Sequence, residues 1–190
     1  MSAHLLRRAA VTLVAFTIAA CGDSTGPSSN LTQEQVSDLL DAMSAVSSYG
    51  SIPGTALAVV TTSETVDCPN GGTAAVNSTV NENPTAGTAT IQVTQIFSGC
   101  KATSSHGRVW TFDGDPNIVT SVSTTYNATT GAFSVNGTQK GGIKFASDLG
   151  SGSCAVDLTV TFSGNETSFN GSVSGSACGH NIQQSISVTQ

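Results

Sequence analysis

Hydrophobic and polar positions follow two different periods along this chain. Between positions 31 and 48, Val36, Leu39, Leu40, Met43 and Val46 recur at three- and four-residue spacing, while Gln33, Glu34, Ser37, Asp38 and Asp41 fall on other faces. That is the apolar stripe of an amphipathic helix. Thr32 with Gln35 three residues on predicts a capping box, and Leu31 with Val36 a hydrophobic staple around it. The early acidic residues suit the positive end of the helix dipole, and Gly50 and Pro53 stop the helix. The stripe is expected to pack on the protein's own sheet. The alternative is a docking helix for a partner or a membrane, but this helix lacks the basic face that surface helices use.

From Thr55 onward the period is two. Val156, Leu158, Val160 and Phe162 alternate with other residues, as do Ile118, Thr120, Val122, Thr124 and Tyr126. Strands are predicted over 55–66, 72–80, 88–97, 107–112, 118–126, 132–139, 142–146, 154–162, 168–177 and 181–188. Between them stand turn signals at Asn83-Pro84, Asp113-Gly114, Thr130-Gly131, Asn136-Gly137, Gly141-Gly142 and Gly164-Asn165. Short strands with short connections make antiparallel neighbours. The expected fold is mainly β: an antiparallel meander forming a curved sheet or partly open barrel, with one N-terminal amphipathic helix packed on it. A two-sheet sandwich is the alternative. Thr and Ser make up roughly a quarter of the chain, a composition that favours strands and turns.

The first twenty residues follow neither pattern. His4, Arg7 and Arg8 precede an apolar run from Ala9 to Ala20, the layout of a secretory signal and too short for a membrane span. The run ends in Ile18-Ala19-Ala20-Cys21, which resembles the lipobox of bacterial lipoproteins. The resemblance implies that the signal is removed before Cys21 and that Cys21 carries the lipid. A residue bearing several acyl chains anchors firmly. Gly22, rather than Asp, after the Cys implies by the same resemblance the outer membrane. The other reading is a plain secreted protein cut near Ala20. Residues 22–30 are a polar tether spanning ~16 Å. The organisation expected is a signal peptide at 1–20, a lipidated Cys and tether at 21–30, and a single β-rich domain at 31–190 with its helix at 32–48.

Removal of the signal takes Arg7 and Arg8 but no acid, so 4 basic against 12 acidic residues leave −8 on the mature chain. Charged residues are only 9% of the sequence, and Lys101, Arg108, Lys140 and Lys144 are dispersed. Nucleic-acid binding, which needs clustered cations, is not expected.

Four cysteines remain beyond Cys21, in a compartment that oxidises thiols. Of the three pairings open to them, chain order favours Cys68–Cys100 and Cys154–Cys178, because each pair flanks one predicted hairpin. Matching apolar faces sets Phe162 against Phe169, Leu158 against Val173 and Val76 against Ile91. Each cysteine pair is then one residue out of register, so bulges are expected near Gly99 and Gly175. The alternative, a zinc site, lacks a C-x-x-C.

The sequence has no H-E-x-x-H and no P-loop. Asp113 to Asn117 reads as a turn, with the start of a calcium loop as the sharper alternative. His106, Arg108 and Trp110 either begin an ordinary strand or line a polar site. The N-x-S/T triplets at Asn77, Asn127, Asn136 and Asn165 read as turn chemistry. No cofactor, metal or enzymatic activity is expected. The function expected is that of a lipid-anchored protein of the bacterial cell envelope, facing the periplasm or the surface, with a non-catalytic binding or structural role. The alternative is a carrier of an apolar ligand, since a curved sheet closed by a helix resembles the half-barrel periplasmic carriers of lipids and lipoproteins. Its lining would be Phe97, Trp110, Phe112, Phe133, Phe145, Phe162 and Phe169.

Overall fold

The computed structural model describes residues 30–47, 60–165 and 167–189. The signal, Cys21 and nearly all of the tether therefore lie outside the described residues, as do the helix stop at Gly50 and Pro53 and the start of the strand expected at 55–66.

Among the described residues, one helix, α1 (Gln33–Ser47), is followed by nine strands: β1 (Val60–Asp67), β2 (Thr73–Asn83), β3 (Thr88–Ser98), β4 (Cys100–Thr103), β5 (Val109–Tyr126), β6 (Phe133–Ser147), β7 (Gly150–Gly164), β8 (Ser168–Ala177) and β9 (His180–Thr189). All pair antiparallel in the order β1-β2-β3-β5-β6-β7-β8-β9, with β4 added beside β5, and the sheet does not close. This is a mainly β fold with one helix packed on an open sheet.

The helix begins as its sequence predicts. Thr32 N–H donates to Gln35 Oε1 at 2.8 Å and Gln35 N–H donates to Thr32 Oγ1 at 3.3 Å, so both halves of the capping box are made. Leu31 and Val36 are both buried beside it. Val36, Leu39, Met43 and Val46 join one core with Phe97, Trp110, Phe112, Ile143, Val156 and Ile182 from the sheet.

The helix also shows that the sheet curves. Leu31 O accepts from His180 Nε2 on β9, while Asp38 is bonded to Trp110 on β5. From Leu31 to Asp38 the chain, helical from Gln33, advances about 14 Å at most, yet β9 and β5 are four strand spacings apart, about 19 Å along a flat sheet. The sheet has to curl around the helix for both contacts to form. All these contacts lie at the sheet end where β2, β5, β7 and β9 begin, hereafter the proximal end.

Both disulfides close that same end. Cys68–Cys100 and Cys154–Cys178 hold Cα atoms 5.5 Å and 4.2 Å apart. The hairpin registers differ from those expected. Phe162 faces Gly171, Leu158 faces Gly175 and Val76 faces Gln95, while Ile91 faces Val80. No bulge at Gly175 is needed, because Cys178 lies in the two-residue turn between β8 and β9. Cys178 and Gly179 both have positive φ, the geometry of a type I′ hairpin turn. Near Gly99 an irregularity does occur: Gly99, at φ 53°, separates β3 from β4, and its N–H donates to Asp113 Oδ1.

The bulge that shapes the sheet is elsewhere. Asp113 to Asn117 is not a turn between two strands. It lies inside the single strand β5, whose register against β6 shifts between Gly114 and Ile118 around a cis Asp115–Pro116 bond. Gly141 and Gly142, likewise expected to be a turn, run on through β6 opposite this bulge. A Cβ on Gly141 would lie 2.0 Å from Asn117 O, and one on Gly142 2.5 Å from Asp115 O. Glycine is required where the bulged backbone rests on the neighbouring strand. Asn136-Gly137 is also strand, with Gly137 between Val122 and Val160 on the apolar face. Asn77 and Asn136 lie within strands, whereas Asn127 and Asn165 cap turns through their side-chain oxygens.

Candidate functional site

Two features outside the core carry recognisable chemistry. The first is Asp38, which the helical pattern places away from the apolar stripe. The structure instead buries it at 4% exposure, against the loop before β5. Its Oδ2 accepts from Trp110 Nε1–H at 3.0 Å and from Arg108 Nη1 at 2.9 Å, and its Oδ1 meets His106 Nδ1 at 3.1 Å. Arg108 Nε donates to Asp148 Oδ1 at 2.9 Å, and Ser105 N–H donates to Asp41 Oδ2. Burial pushes the Asp38 carboxyl up, but hydrogen bonds from Ser104, Trp110, Arg108 and His106 together outweigh it and hold the group below the usual carboxylate range. The hydrogen bond to Asp38 likewise raises Arg108 above its ordinary value.

His106, Arg108 and Trp110 therefore do converge, on a carboxylate that their own sequence neighbourhood does not contain. Structural donors occupy both oxygens of Asp38, which makes the group a clamp joining helix to sheet. His106 remains largely exposed.

The second feature is the sheet face opposite the helix. Alternation places Val80, Ile91, Val122, Gly137, Val160 and Val173 in one row on the helix side. The residues one step away face outward. Thr79, Gln92, Ser121, Thr138, Thr159 and Ser174 stand in register across β2 to β8, and Asn81, Thr90, Ser123, Asn136, Thr161 and Ser172 form the next row. A further row, from Asn83 through Thr125 to Ser187, has the same character. Every side chain in these rows ends in a hydroxyl or an amide. Among the described residues, charge on this face begins at mid-strand, where Lys140 pairs with Asp157 at 3.2 Å, and continues toward the proximal end with Lys144 and Asp113. A shallow groove of about 560 Å³ runs over the neutral rows between β2 and β7. Neighbouring hydroxyls in these rows bond to one another, as Thr161 Oγ1 does with Ser172 Oγ at 2.7 Å and Thr125 Oγ1 with Ser134 Oγ at 2.8 Å.

The sequence reading did not find this face, although period-two alternation contains it: once one parity is assigned to the core, the other spells it out. Of the aromatics proposed to line a carrier cavity, Phe97, Trp110, Phe112 and Phe145 are packed in the core under the helix. Phe133, Phe162 and Phe169 form a stacked cluster near the other end of the sheet, with ring centroids 6.2 Å and 5.4 Å apart. The four cysteines considered for zinc are consumed in disulfides. Comparison with protein families, curated proteins and solved structures finds no match to this chain.

Proposed function

We propose that this protein is a lipid-anchored component of the bacterial cell envelope with a non-catalytic binding role, tethered through Cys21 and using the neutral sheet face as its contact surface. The observation that carries this reading is the separation of charge on that face, with the Lys140–Asp157 ion pair at mid-sheet, further charges toward the proximal end, and only hydroxyl and amide groups in the rows beyond. The lipobox and the two disulfides support an exported, oxidising location. Hydroxyls and amides both donate and accept, so the face suits a neutral, hydroxyl-rich polymer such as a glycan. A polyanion would find no cationic partner in these rows. Each such bond contributes only ~1 kcal/mol in water, so useful affinity requires many made together, which an extended array provides.

Two measurements test it. A clickable fatty acid fed to cells labels the wild-type protein and not the Cys21→Ala variant; a label that persists in the variant refutes the anchor. Detergent-solubilised full-length protein sediments with insoluble neutral polysaccharide, and the Thr138→Lys/Thr161→Glu variant does so less. Equal sedimentation of both proteins refutes the surface.

A carrier of an apolar ligand is the second reading, favoured by one observation. The apolar side of the sheet continues past the helix to Phe133, Phe162 and Phe169, and to Val188, which is 48% exposed. Saturable binding of a fluorescent fatty acid, lost in Phe169→Ser, would establish it in place of the first.

A further inference from the structure

The two edges of the sheet are built differently. β1 carries Glu64 and Asp67, the kind of charge that keeps an edge strand from pairing with another chain. β9 has no Lys, Arg, Asp, Glu, Pro or Gly along its ten residues and no register shift against β8. Its first two residues are engaged by the helix, since His180 bonds Leu31 O and Gln33 Nε2 donates to Asn181 O at 3.3 Å. From Ile182 to Val188, β8 is the strand's only ladder partner among the described residues. This stretch is a neutral edge on which every second residue turns its backbone N–H and C=O away from β8.

We infer that β9 is a self-association edge, pairing antiparallel with β9 of a second copy of this chain. The occupant follows from symmetry and charge. A two-fold axis normal to the sheet sets the strand against itself, so any charge on it would meet its own like near the axis, and β9 has none. The same axis keeps each face continuous: Ile182, Ile186 and Val188 of both copies share the apolar side, and Gln183, Ser185 and Ser187 share the neutral polar side. The polar rows would then run unbroken across both molecules. β1 is disfavoured on the same ground, because an axis near its centre sets Glu64 opposite or diagonal to its own counterpart.

The test uses full-length protein in its own membranes. Four of its native cysteines are joined in disulfides and the fifth, Cys21, is blocked by the lipid of the proposed anchor on which this test rests, so one introduced thiol reports alone. Ser185→Cys is treated with a bis-maleimide of about 8 Å reach, which covers both directly facing and diagonal cross-strand positions. Covalent dimer is the expected main product, at least tenfold above that from Ser63→Cys on β1. Adding Ser187→Lys and Gln183→Lys to Ser185→Cys places like charges across the axis and abolishes the dimer without lowering the melting temperature. A labelled but monomeric Ser185→Cys protein overturns the inference. Equal dimer from Ser63→Cys, or a Ser185→Cys adduct to a different protein, does so as well.

Discussion

Trp110 Nε1–H donates to Asp38 Oδ2 at 3.0 Å, and both residues are withdrawn from solvent. An indole and a carboxylate 72 positions apart thus join the helix to the longest strand of the sheet. Arg108 supplies the countercharge on the same oxygen. Replacing Asp38 with Asn removes that charge and puts an amide among groups arranged to donate. Disruption of a buried ionic network of this kind costs about 3 kcal/mol. Urea denaturation of Asp38→Asn should show a lower midpoint with an unchanged slope; an unaltered midpoint would remove the clamp from the account.

The same carboxylate makes stability depend on pH. Its pKa is depressed in the folded protein, so the unfolded chain binds the proton more readily. The contribution is complete above the unfolded value near 3.9 and is lost as pH falls through the lower folded value. Wild type should therefore lose more stability than Asp38→Asn between pH 5 and pH 2. Parallel pH profiles for the two proteins would contradict this.

Leu39 follows Asp38 in the helix and is fully buried in the core shared with the sheet. Leu39→Asp places an unpaired carboxylate there and should cost several kcal/mol. Thermal melting reads the effect directly, and an unchanged transition would mean that the helix is an arm rather than part of the core.

Each disulfide closes a loop of moderate size, with sequence separations of 32 and 24. In the chain-entropy model either one stabilises by about 3.5 kcal/mol. Cys68→Ala/Cys100→Ala and Cys154→Ala/Cys178→Ala should each lower the melting temperature, and peptide mapping without reductant should recover only the two native links. A peptide joining Cys68 to Cys154 would overturn the hairpin arrangement at the proximal end.

Gly141 has φ 143°, and Asn117 O occupies the space a side chain would need. Gly141→Ala should destabilise by roughly 2 kcal/mol or more, because it meets both an unfavourable backbone conformation and a clash. Gly150→Ala, where φ is 120° but nothing lies within 4 Å, isolates the conformational part and should cost less. Equal effects would mean that the β5 bulge yields.

What the sequence disclosed and what it concealed divide along physical lines. Thr32 and Gln35 are three residues apart, so their capping box is a local event and local pattern finds it. The flanking of hairpins by cysteines is nearly as local. Register is a different matter, because turn geometry sets it and not only the wish to match apolar residues. Asn165 Oδ1 accepts from the N–H groups of Thr167 and Ser168, and this turn brings Phe169 opposite Gly164 instead of Phe162. Gly141-Gly142 resembles a turn in any reading confined to its own strand; the reason for it is the carbonyls of Asn117 and Asp115 on the next. Asp38 is concealed for the same cause, since Arg108 and Trp110 lie on a distant segment. The neutral face was legible in principle, as the complement of the apolar alternation.

Both disulfides and the helix entry are at the proximal end, whereas among the described residues the other end is closed by hydrogen-bonded turns, as at 84–87 and 127–132, and by the stacked Phe133, Phe162 and Phe169. Mechanical load is therefore distributed unequally. Were Cys21 anchored as proposed, tension along the tether would arrive at Leu31, next to His180 and within the cross-linked half. Load would then fall on the sulfur bridges and the packed helix, leaving the far turns to exchange their amide hydrogens first.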